Sequence, residues 1–145
     1  MVNLKKIQGI LSRLRTYLEK LRTLAAYKRE DFINDFTKVE SAKHLLEVSI
    51  ESCLNISQHI IASERFRSPE NYAESFEILA ENRVFPEEFL PTLHNMVRFR
   101  NRLVHLYWEV DEATIYDILE NELGDFDTFM NYIVKFLDFD NSHNS

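Results

Sequence analysis

Two glycines and three prolines in 145 residues leave this chain few places for the positive-φ turns that tight hairpins need. Between them the apolar residues recur at spacings of three and four rather than two, the period of a helix surface. The amino-terminal stretch is the clearest case. Leu4, Ile7, Leu11, Leu14, Leu18, Leu21 and Ala25 alternate those spacings for three heptads, with Asn3 placed as a cap. Such a stripe suits a bundle core or a dimer seam. A second helix is expected from Glu30 or Asp31 to about Ala62, its core face drawn from Phe36, Val39, Leu46, Ile50, Cys53, Ile56 and Ile60. Arg65 to Asn71, around Ser68-Pro69, reads as a loop, and a short helix follows from Tyr72 to Asn82. Pro86 then opens a fourth helix, with Glu87 and Glu88 at the positive end of its dipole and Pro91 early enough to be tolerated. The last helix begins at Asp111 and runs toward Leu137, with Gly124 a point where it can soften or split. The expected fold is therefore all-α, an up-and-down bundle of four to five helices in one domain over residues 1–140, followed by a polar tail at 141–145.

Composition supports one domain with a core of its own, since 45% of the chain is hydrophobic. The lone Cys53 makes no intramolecular disulfide, and the amino terminus lacks the unbroken apolar run of a signal peptide or membrane span. A cytoplasmic protein without a membrane partner is expected. A net charge of −7 argues against broad, unspecific nucleic-acid binding, so any such contact must be local. His44, His59 and His94 have no Glu-x-x-His partner or cysteine cluster, and no metal site or cofactor is expected.

The chemistry concentrates in Arg98-Phe99-Arg100-Asn101-Arg102-Leu103-Val104-His105-Leu106-Tyr107, where a guanidinium, an imidazole and a phenol fall within eight positions, Arg100 to Tyr107. A phosphoryl-transfer site needs a fixed cation for the oxyanion and a group that exchanges protons near neutral pH. Arg100 supplies the first and His105 the second, and neither calls for a metal. Asn101 lies one helical turn from His105, where an amide can fix which imidazole nitrogen carries the proton. On an ideal helix Arg100 and Tyr107 share nearly one face, whereas Arg100 and His105 diverge by roughly 140°. To meet at one phosphate, the arginine must bend round the helix, the helix must deform near His105, or a second copy must face the first. Arg98 and Arg102 complete the densest basic cluster in the chain and fit phosphate contacts, although alternating charges on a helix also fit a solvated or partner-facing surface. Trp108 fits a packed aromatic or an interface anchor.

Arg-x4-His-x-Tyr, preceded by an aromatic and followed directly by Asn, resembles the signature of the HEPN superfamily, in particular its HepT-like toxin branch. The similarity extends through Glu51 to Ile61, which resembles the second core helix of that branch, through Arg67 to Tyr72 with Phe76 and Leu79, and through Asp111 to Asp125. One departure is Asn55, which stands where many relatives carry an acid thought to orient the catalytic groups. The resemblance implies a HEPN-like homodimer whose paired motifs line a shared groove. It also implies metal-independent endonucleolytic cleavage of RNA by attack of the ribose 2′-hydroxyl, with Arg100 and His105 catalytic. Tyr107 matches the residue that a cognate minimal nucleotidyltransferase antitoxin modifies with AMP, and a phosphate placed on Arg100's face would block the groove and neutralise its cation. The alternative reading is a noncatalytic HEPN module that binds nucleotide or scaffolds such a transferase, and the acidic net charge is the feature that favours it.

Overall fold

A computed structural model describes the backbone of residues 3–144 and side chains as far as Asp140. Helix α1 (Leu4–Ala25) forms over the heptads, capped where the Asn3 side chain accepts the Lys6 amide at 3.2 Å. Ile7, Ile10, Leu11, Leu14, Leu18 and Leu21 are all buried. Their stripe is thus consumed within the protomer, and of its two readings the bundle core is the one that holds.

The expected second helix is two helices, α2 (Arg29–Ile33) and α3 (Phe36–Glu64). Asn34 donates its amide back to the Glu30 carbonyl at 2.9 Å, and the Asp35 carboxylate accepts the Thr37 amide at 3.0 Å. Two short polar side chains thereby end one helix and cap the next, overriding an apolar pattern that runs across both. Lys38 and then Thr37 hold the Asp35 carboxyl well below the usual carboxylate range. Helix α3 is the axle of the bundle, packed against α1, α2, α4 (Tyr72–Glu81), α5 (Leu90–His105) and α6 (Glu112–Asn121).

Scarcity of glycine shows at two helix ends. Arg65 after α3 and Arg83 after α4 take left-handed backbone, φ 57° and 61°, which costs a residue with a Cβ about 1–2 kcal/mol. In return the Phe66 amide reaches the Ile61 carbonyl at 3.0 Å and the Val84 amide reaches Leu79 at 2.9 Å, closing both helices. The loop at residues 65–71 is where the sequence puts it, and the Asn71 side chain caps α4 by accepting the Glu74 amide at 3.0 Å.

Pro86 opens a short 3₁₀ turn, Glu87–Phe89, and the α-helix proper begins four residues later than expected, at Leu90. Pro91 has no amide hydrogen to offer the Glu87 carbonyl, which Leu90 takes instead in 3₁₀ spacing. The expected last helix is split, as Gly124 allowed, into α6 and α7 (Gly124–Asn144). The Asp111 side chain caps α6 by accepting the Thr114 amide at 2.8 Å. Seven α-helices therefore stand among the described residues where four to five were expected. The backbone of α7 continues through 141–144, into the segment read as a tail, and Ser145 lies outside the described residues. On α7 the Phe129 ring sits 6.1 Å from Phe76 and 5.8 Å from Phe85, joining the last helix to α4 and the turn after it. No helix among the described residues is long and apolar enough to cross a membrane.

Candidate active site

Helix α5 carries the motif along its last turns, and the bundle sorts its residues into two environments. Arg100 points inward, toward the seam with α3 and α4, with its side chain 18% exposed. Its Nη2 donates to Glu51 Oε1 at 3.3 Å, its Nη1 to Asn101 Oδ1 at 3.3 Å, and its guanidinium carbon lies 5.5 Å from the centre of the Tyr72 ring. The Arg100 Nε is buried with no hydrogen-bond partner. Both bonds are longer than the roughly 2.7–2.9 Å of a tight charge-assisted contact. The cation is thus steered rather than consumed, and it keeps donors for an incoming oxyanion.

Glu51 was not singled out from the sequence, although a signal for it exists. It lies one helical turn before Asn55, so the two share a face of α3. Asn55 is exposed, and the carboxylate that meets Arg100 comes from Glu51 instead. Tyr72, the first residue of α4, is half-exposed beneath the guanidinium.

His105 is the last residue of α5 and is exposed. Leu106, at φ −133° and ψ 41°, leaves helical backbone while its amide still bonds the Arg102 carbonyl at 2.8 Å, and a 3₁₀ turn over Tyr107–Glu109 follows. This corrects the placement of Tyr107 on Arg100's helical face. The helix stops two residues short of Tyr107, and the phenol ring turns to α3, where Lys43 Nζ lies 4.2 Å from the ring centre and donates to the Tyr107 carbonyl at 3.2 Å.

Asn101 is exposed and accepts from Arg100; no hydrogen bond among the described residues joins it to His105. Arg98 is exposed and donates to Asn95 on its own helix. Arg102 is also exposed and, after the Thr114 amide and hydroxyl, helps hold the Asp111 carboxyl below its usual range. One protomer thus gives a half-buried guanidinium facing α3 and α4 and an imidazole at an open helix end. Around that end Val104, Leu106 and Trp108 are exposed, Trp108 by 77%.

Comparison with known proteins agrees with this architecture. The family described as ribonuclease HepT-like matches residues 14–133. The mRNA nuclease HepT of Shewanella oneidensis is 30% identical over 102 residues, which are 70% of this chain and 77% of that protein. The tRNA nuclease HepT of Aphanizomenon flos-aquae is 22% identical over 133 residues, 90% of this chain and 89% of that one. In three dimensions the tri-AMPylated Shewanella oneidensis HEPN toxin, solved in complex with MNT antitoxin, matches with a TM-score of 0.83 at 24% identity, covering 93% of this chain and 99% of that one.

Proposed function

Because the chain belongs to the ribonuclease HepT-like family, we propose that it is a cytoplasmic endoribonuclease toxin that cuts RNA without a metal ion and is neutralised by a minimal nucleotidyltransferase antitoxin. The observation that carries this reading is Arg100, a half-buried guanidinium held at 3.3 Å by Glu51 and retaining an unpartnered Nε, on the same helix as the exposed His105. In the reaction the ribose 2′-oxygen attacks the adjacent phosphorus, the new O2′–P bond forms, and the P–O5′ bond breaks. A 2′,3′-cyclic phosphate and a free 5′-hydroxyl result. His105 exchanges the proton with the attacking or leaving oxygen, and Arg100 offsets the charge on the nonbridging oxygens, each contributing about 10²–10⁴-fold. Asn101, whose Oδ1 accepts from Arg100 at 3.3 Å, is the orienting residue and acts on the guanidinium, while Arg98 and Arg102 contact flanking phosphates.

With Arg100 turned to α3 and α4 and His105 at the exposed end of α5, the proposed active form is a homodimer in which the motifs of two copies face one another. The uncovered Val104, Leu106 and Trp108 beside His105 supply an apolar surface for that contact. Neutralisation is AMP transfer from ATP to the Tyr107 phenol. Since Tyr107 leaves α5 before its phenol is reached, the added phosphate acts by filling the groove between motifs rather than by lying along the Arg100 face of the helix.

Expression without the antitoxin tests the whole reading. Wild-type protein is expected to arrest growth and the His105→Ala protein to be harmless, with equal accumulation of both. Purified protein is expected to cut RNA equally well in excess EDTA, leaving cyclic phosphate ends. A harmless wild type, or a toxic His105→Ala variant, favours the scaffold reading instead. With ATP, Mg²⁺ and the transferase, intact mass is expected to rise by AMP increments for the wild type and not for Tyr107→Phe.

A further inference from the structure

Lys43 is the unusual cation of this protein. It lies two turns into α3, is only 6% exposed, and makes no ion pair with a carboxylate among the described residues. A buried ammonium ordinarily needs such a partner, because desolvation disfavours an isolated charge. The acids within one turn on the same helix, Glu40 and Glu47, make no ion pair with it among the described residues, and Glu51, two turns along, is engaged with Arg100. What Lys43 meets instead is one residue twice: its Nζ donates to the Tyr107 carbonyl at 3.2 Å and sits 4.2 Å from the centre of the Tyr107 ring. The carbonyl it bonds also accepts the Val110 amide at 3.3 Å, so the ammonium reinforces the 3₁₀ turn that carries the phenol.

We propose that Lys43 is a positioning residue for the regulatory step, fixing the Tyr107 turn and holding a cation on the ring face so that the phenol is ready to accept AMP. This rests on the reading of Tyr107 as the modified residue. In the transfer, the phenol oxygen attacks the α-phosphorus of ATP, the O–P bond forms as the bond from Pα to the bridging oxygen breaks, and pyrophosphate leaves. The phenolic proton passes to a base of the transferase. Negative charge gathers on the phenol oxygen as that proton departs, and an ammonium fixed against the ring offsets it in advance of the reaction. A three-residue turn lying between α5 and α6 and belonging to neither would otherwise present the ring in many orientations, and only a fraction of them suit in-line attack. The RNA chemistry at Arg100 and His105 needs none of this, so Lys43 separates control from catalysis.

The experiment compares wild type, Lys43→Met, Lys43→Arg and Tyr107→Phe as full-length folded proteins. With the cognate nucleotidyltransferase, ATP and Mg²⁺, initial rates of AMP addition are followed by intact mass, and RNA cleavage is measured on the unmodified proteins. Lys43→Met is expected to lower kcat for AMP transfer at least tenfold while KM for ATP and the rate of RNA cleavage stay within twofold. Lys43→Arg, which restores a cation, is expected to recover most of the transfer rate. Should Lys43→Met fail to fold, Lys43→Gln is read in its place. Transfer at the wild-type rate in the methionine variant overturns the proposal. So does cleavage that falls in step with transfer, or an arginine variant as slow as the methionine one. A wild type that takes no AMP at Tyr107 overturns the modification reading and this proposal together, whereas a modified wild type with an unaffected Lys43→Met overturns this proposal alone.

Discussion

Arg100 has two partners at 3.3 Å and a buried Nε with none, which is an unusual state for a guanidinium only 18% exposed. Leaving a buried donor unmade costs roughly 1–3 kcal/mol, so the arrangement is stable only because Glu51 and the Tyr72 face compensate part of the loss. Glu51→Gln keeps the shape and removes the charge that aims the guanidinium. We expect it to lower kcat for RNA cleavage about tenfold, as a misaligned transition-state contact does, without raising KM, since an anion beside the phosphate is removed at the same time. Steady-state kinetics on a short fluorogenic RNA reads both constants, and an unchanged kcat removes Glu51 from the site. Arg100→Ala and His105→Ala are each expected to abolish cleavage with helicity intact, and the double variant to be no worse than either single one, because groups acting in one transition state fail together. Arg100→Lys is expected to rescue little, since an ammonium cannot reproduce the fork that spans two phosphate oxygens. The motif itself was legible because its members are nearly consecutive. Glu51 and Lys43 were not, because their partners lie 49 and 64 residues away and only the packing of α3 on α5 and on the turn after it brings them in.

Helices declare themselves in this chain by apolar phase and are punctuated by polar side chains, and the two kinds of signal differ in legibility. Helix α1 could be read end to end, cap included, because its stripe and Asn3 agree. The break at Asn34-Asp35 was masked because the apolar phase carries through it, although Asn and Asp favour caps over helix interiors. The end of α5 was equally hidden: Leu106 is a good helix former, yet its backbone leaves the helix at φ −133° and ψ 41°. The same logic gives a pair of opposed stability predictions. Gly9 sits inside α1, and a Cβ added there meets nothing within 4 Å. Gly9→Ala is therefore expected to stabilise the fold by about 0.8–1 kcal/mol from helix propensity alone, raising Tm by about 2–4 °C. Asn71→Ala removes the cap of α4 and is expected to destabilise by about 1 kcal/mol. Thermal melts followed at 222 nm check both signs. Only the second should also slow RNA cleavage, since Tyr72, the first residue of α4, is the ring beneath Arg100.

At the scale of the whole molecule the question is how an acidic protein with net charge −7 handles a polyanion. Its answer is local: Arg98, Arg100 and Arg102 crowd one helix, Arg100 faces the inside of the bundle, and His105 opens at the helix end beside a Trp108 that is 77% exposed. A large aromatic left in water next to a motif invites a cover, and in the proposed homodimer a second copy would supply it. The protein is thus expected to run as a dimer in light scattering at micromolar concentration, and Trp108→Asp to run as a folded monomer that no longer cuts RNA. A stronger test asks whether each site is shared. If Arg100 of one protomer works with His105 of the other, a mixed dimer of Arg100→Ala and His105→Ala chains contains one intact site and one doubly damaged site. Random exchange in equal amounts makes half of all dimers mixed, so two inactive proteins should regain about a quarter of wild-type cleavage on mixing, as twofold symmetry requires. Refolding the two variants together and assaying the mixture reads this directly. No recovery in a mixture shown to have exchanged, by mass labels on the two chains, would mean that each protomer holds a complete site and that the dimer serves only to cover Trp108.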